Sequence, residues 1–148
     1  MLIDSQNQFS AAQAVTSTGS TASTNIIDLG VARDIGAAAT DHLALLCQVV
    51  TPFTSGGSAT LQAQFQTAPD NGSGAPGSWV TLAQSDAIPV ASLVRGYRLL
   101  PGGVPGPTQR FVRLNYVVGT AAMTAGALTA GFVPALEVTT SYARGYAA

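Results

Sequence analysis

At 148 residues the chain has room for one ordinary domain with a real core and is too short to expect two. Apolar residues make up 47% and charged residues only 9%, which excludes a disordered chain and a charge-laced coiled coil. Six arginines, no lysine and seven carboxylates leave a net charge of -1, so there is no basic surplus for a nucleic-acid groove.

Residues 1–24 are polar and rich in Ala, Ser, Thr and Gln, with only Leu2, Ile3, Phe9 and Val15 as bulky apolar groups. So little to bury predicts an extended N-terminal arm, either loose or laid against another surface, whose residues 1–12 are dispensable for folding. From Asn25 the pattern changes to short apolar runs separated by turn residues. Asn25 to Leu29 reads as a short strand stopped by Gly30, and the alanine-rich stretch Val31 to Asp41 has room for a helical turn or two. His42 to Phe53 is apolar on both alternations, as expected of a strand buried on both faces.

Thr60 to Thr67 is strictly period two. Leu61, Ala63 and Phe65 point one way, and Thr60, Gln62, Gln64 and Gln66 the other, giving one dry face and one that needs water or a polar partner. Pro69 to Ser78 is a long turn, after which Trp79 to Ala83 resumes as the second strand of a hairpin. Ile88 to Leu93 and Tyr97 to Leu100 read as shorter strands, and Pro101 to Pro107 as an irregular loop. Two further strands, Gln109 to Val118 and Met123 to Val133, flank Gly119-Thr120. Val117 to Leu136 is uncharged and long enough to cross a membrane, but its glycines and threonines favour two strands, so no membrane partner is expected.

Seven or eight short strands at regular spacing predict an all-β single-domain β-sandwich, jelly-roll-like, over residues 25–136. Residues 1–24 and 137–148 flank it as extended N- and C-terminal segments. Leu61, Phe65, Trp79, Phe111 and Leu114 are its expected core.

Motifs for chemistry are sparse. Gly72 to Gly77 spells GxGxxG, yet a strand follows where phosphate binding needs a helix N-terminus. The single histidine, His42, and the dispersed carboxylates lack metal-ligand spacing. Cys47 is alone within an apolar run and reads as a buried, inert thiol. No catalytic, metal-binding or cofactor-binding residue is assigned, and the expectation is a protein that is not an enzyme and uses no cofactor. Arg110 and Arg113, of opposite strand parity, read in the simplest case as solvated strand edges.

Four stretches carry a likeness: MLIDSQNQFSAAQAV (1–15), TNIIDLGVARDIG (24–36), FQTAPDNGSGAPGSWVTLAQ (65–84) and RFVRLNYVVGT (110–120). Together the chain resembles the capsid cement, or decoration, proteins of tailed bacteriophages. The resemblance implies a jelly-roll-like body on the outer surface of the virion capsid, docking across junctions between major capsid protein subunits. It also implies self-association as a homo-oligomer, a dimer favoured over a trimer, with no enzymatic activity or cofactor. The low charge fits a subunit held in an assembly, because free proteins near zero net charge tend to associate. Leu2, Ile3 and Phe9 at one end, Tyr142, Arg144 and Tyr146 at the other, and Arg95 and Arg98 in a loop are the candidate interface residues. The alternative is a carbohydrate-binding jelly-roll module of a phage tail or fibre, which needs exposed aromatic faces for sugar rings.

Overall fold

The computed structural model describes residues 3–33, 35, 43–100 and 103–134. Nine strands run antiparallel in two sheets: β1 (Gln8–Ala14), β2 (Gly19–Ala22), β3 (Ile27–Asp28), β4 (Leu43–Thr54), β5 (Thr60–Ala68), β6 (Val80–Gln84), β7 (Ile88–Pro89), β8 (Phe111–Gly119) and β9 (Ala125–Pro134). The first sheet has the order β1-β9-β4, and the second β2-β8-β5-β6, with β3 also on β8 and β7 also on β5. Alternation dictates this packing: Leu45, Cys47 and Val49 of β4 and Leu61, Ala63 and Phe65 of β5 are all buried, and they face one another across the sandwich. Three phenylalanines lock its middle. Phe9, Phe65 and Phe132 meet edge to face with centroids 5.0 to 6.2 Å apart.

The all-β sandwich expected from the sequence is present, and the β5–β6 hairpin forms across the long turn as read. Other expectations need correction. Residues 8–22 are not a free arm, because β1 pairs with β9 and β2 with β8. Phe9 is fully buried, so it belongs to the core and not to an interface. The apolar period is hidden in β1 by bulges, where Ala12 takes φ 47° and Phe9 and Ser10 are consecutively buried. The buried Ser10 is satisfied by Tyr116, whose hydroxyl lies 2.8 Å away.

The strands on either side of Gly119-Thr120 exist but do not pair. β8 belongs to one sheet and β9 to the other, so the connection crosses the sandwich. Ile88 to Leu93 is strand for only two residues and then a 3-10 turn, Val90–Ser92; Tyr97 to Leu100 contributes a single bridge, Arg98 with Gln48. Val31 to Arg33 are not helical, with Arg33 bridging Thr108; residues 36–42, His42 included, lie outside the described residues. So do residues 135–148, and with them the expected C-terminal tail.

Glycine permits two close approaches. At Gly126, φ is 141° and a Cβ would sit 2.0 Å from the Phe53 ring. At Gly131 a Cβ would lie 2.8 Å from the carbonyl of Asn7, where the N-terminal 3-10 turn Ser5–Asn7 leads into β1 beside β9.

Candidate functional site

The outward face of the second sheet concentrates the molecule's polar side chains. Period two sends Gln62, Gln64 and Gln66 of β5 outward, and antiparallel register sets them opposite Val117, Asn115 and Arg113 of β8. Gln66 donates to Gln64, and Gln64 to Gln62, each through Nε2 to Oε1 at 3.3 Å. Asn115 Nδ2 donates to Gln64 Oε1 at 2.9 Å and accepts at Oδ1 from Ser20 Oγ at 2.8 Å. The chain of amides therefore runs across β2, β8 and β5, and reaches β6 where Gln66 Nε2 meets Thr81 Oγ1 at 3.2 Å.

Arg113 closes one end. Its Nε donates to Gln66 Oε1 at 2.9 Å, and its guanidinium stacks 4.1 Å from the centroid of Trp79. Partial burial pushes the Arg113 pKa below its usual value. Trp79 is half-buried under this cation and is not part of the core; this corrects the expectation from sequence, whereas Leu61, Phe65, Phe111 and Leu114 are buried. The face is thus a plate of oriented amide and hydroxyl dipoles carrying one cation, with Gln66 and Asn115 buried within it and Gln62, Gln64 and Arg113 partly exposed. Such a surface suits hydrogen bonding to backbone and polar groups of a partner.

Beside it, Arg110 ties three segments together. Its Nε and Nη2 grip both oxygens of Asp28 at 2.8 Å, its Nη1 bonds Asp70, and its guanidinium lies 4.9 Å from the Phe111 centroid. The Arg110 hydrogen bond, with help from Gly30 N–H, holds the Asp28 carboxyl down at about 2. Asp70 is lowered chiefly by the backbone N–H groups of Gly72 and Gly74, which donate to Oδ1 at 2.8 and 3.0 Å. Those amides belong to the GxGxxG stretch, so two of them already hold a carboxylate, and the loop leads into strand β6. Arg113 is therefore not a solvated strand-edge charge, whereas Arg110 is open to solvent but held by two carboxylates.

Cys47 is buried, and burial alone pushes its thiol up to about 12. Among the described residues no group of three or more His, Cys, Asp or Glu side chains is placed to hold a metal ion. No described helix is long and apolar enough to cross a membrane.

The candidate interface residues do not converge on one site. Ile3 is half-buried against Ala44, Leu46 and Val133 on the outside of the first sheet. Arg95 is exposed, its Nε donating to Val50 O at 2.9 Å, and Arg98 is half-buried next to β4. Leu2, Tyr142, Arg144 and Tyr146 lie outside the described residues. Sequence reasoning identified the glutamine face but missed what completes it. Arg113, Trp79 and Asn115 come from distant segments, and only the register of β5 on β8 joins them.

These features define a two-sheet, all-β sandwich protein with a polar hydrogen-bonding face. A family model described as Bbp16 matches residues 9–132, and the chain belongs to the Bbp16 family. Comparison with curated proteins gave no match.

Proposed function

We propose that the protein is a structural component of a phage virion that binds the outer surface of the head and cements neighbouring major capsid protein subunits. The observation that carries this reading is the plate Gln62–Gln64–Gln66–Asn115–Arg113, a polar face with a single charge whose groups are already oriented by one another, Gln62, Gln64 and Arg113 being its partly exposed members. Preordered side chains lose little entropy on docking, so a large contact forms without flexible charged anchors. The resemblance to cement proteins and the low overall charge support the same reading. Binding only the assembled head would then stabilise the assembly by mass action. The alternative, a sugar-binding module, draws no support from Trp79, since Arg113 covers a face on which a sugar ring would stack.

The test uses heads assembled without the protein and purified protein added back. Gln64→Glu places a charge in the plate and should lower occupancy on heads and their resistance to heat, with the isolated domain still folded. Full occupancy by the variant would remove the plate from the docking surface. A specific signal on a glycan array would favour the sugar-binding reading.

A further inference from the structure

The two sheets have four outer edges, and on three of them described groups bond at least part of the outward backbone. The segment after β7 covers β4: Val49 N–H donates to Tyr97 O at 2.9 Å, Leu99 N–H to Cys47 O at 2.9 Å, and Phe53 N–H to Leu93 O at 3.0 Å. Asn25 covers β1, its N–H donating to Phe9 O and its Nδ2 to Gln8 O. Gln13 reaches the edge of β2 through Ala22 O. β6 differs. It pairs with β5 on one side, and no described element pairs with the other. Trp79 to Ser85 contains neither a charge nor a proline, the usual devices that discourage strand addition.

The side chains at this edge are those of an interrupted sheet. Val80 lies opposite Thr67, a buried residue, and so belongs to the inner face, yet it is 57% exposed because no strand lies beyond it. At the other end of β6 a groove of about 460 Å³ opens between Ala83 and Ile88 on one wall and Tyr97 and Leu100 on the other. A strand laid along β6 would cover Val80 and send alternate side chains toward this groove.

We propose that the open edge of β6 is a docking site for the chain's own C-terminal segment, residues 135–148, added as a further antiparallel or parallel strand. The sequence of that segment has the required period: Leu136, Val138, Thr140 and Tyr142 alternate with Glu137, Thr139 and Ser141. It is rich in the β-branched and aromatic residues that strands favour. It follows β9, which ends at Pro134, and its 14 residues reach roughly 46 Å when extended. That length allows the donor to be the same molecule or a neighbouring copy. Main-chain hydrogen bonds to β6 give the attachment, and the alternate apolar side chains set its register.

Disulfide trapping in the full chain tests this, because the sole native thiol, Cys47, is buried and inert. Val80→Cys is combined in turn with cysteine at each position from 136 to 141. Val94→Cys, at a residue also 57% exposed, serves as the collision control. The expected result is disulfide formation at Val80→Cys about tenfold faster than at the control, owing to a raised effective concentration, and confined to one parity of the segment. A link within one chain or between two chains identifies the donor, and either supports the site. Equal rates at both surface positions, or no preference for parity, would overturn the proposal. Amide exchange on the unmodified chain gives a second readout that needs no substitution: outward N–H groups of Thr81 to Gln84 should be protected, and exchange at the free-edge rate would count against it.

Discussion

Tyr116 brings a hydroxyl into the middle of the sandwich, and the hydrogen-bond order explains how it is tolerated there. Ser10 Oγ gives its proton to Gln13 Oε1 at 2.7 Å, so at 2.8 Å it accepts from Tyr116, and both buried hydroxyls have a partner. Burial raises the Tyr116 pKa well above its ordinary value, which keeps it a donor. Phe65 is the apolar counterpart, fully buried between Phe9 and Phe132. Phe65→Ala should cost about 3–5 kcal/mol, read as a lowered denaturation midpoint. Residues of this kind were legible where alternation was clean: Leu61, Ala63 and Phe65 stand out from the glutamines between them. Trp79 was not, because its place depends on an arginine 34 positions further along the chain. Phe9 was not either, since bulges erase the period around it and its neighbours are Gln, Ser and Ala.

At the scale of elements, the N-terminal strands show how composition misleads. Their polar composition suggests an arm, but β1 and β2 each add to a sheet through backbone hydrogen bonds that do not depend on apolar side chains. Deleting residues 1–12 should therefore unfold the domain, and loss of the cooperative thermal transition would record it. A folded truncation would mean that neither Phe9 nor the pairing of β1 with β9 is needed for the fold. The Arg110 clasp makes a second claim about elements, because it joins β3, the loop after β5 and the start of β8. Both its carboxyls titrate below their ordinary value of 3.8 in the folded protein, Asp28 at about 2. A depressed folded value stabilises above the unfolded one, so the contribution is complete above about pH 4 and is lost as pH falls toward 2. Melting temperatures of the native chain should thus fall more between pH 4 and pH 2.5 than those of Arg110→Gln. The effect is small because the groups are open to solvent. Parallel declines in the two proteins would show that the clasp contributes no stability.

For the molecule as a whole, the sandwich class was legible from the spacing of strands and turns, whereas the pairing was not. Gly119-Thr120 looked like a turn between adjacent strands, but the chain crosses there from one sheet to the other, a choice made by partners far away in sequence. The same crossing occurs between β1 and β2 and between β4 and β5. A surface plate assembled from β2, β8, β5 and β6 is a product of these long-range pairings, and no local motif announces it.

One of those pairings has a consequence for synthesis. Among the described strands β1 is made first and its partner β9 last, so Gln8 meets Gly131 only after the 122 residues between them have been translated. At about 5–20 residues per second the wait is roughly 6–24 s. During that interval β1 lacks its partner strand and Phe9 lacks the Phe132 ring that it meets in the folded protein. Pulse proteolysis of nascent chains should find residues 8–14 cleavable until β9 emerges and resistant afterwards. Early protection of β1 would mean that another strand holds it first. β1 is held by a strand that lies more than a hundred residues further along the chain, so its place in the first sheet is fixed late.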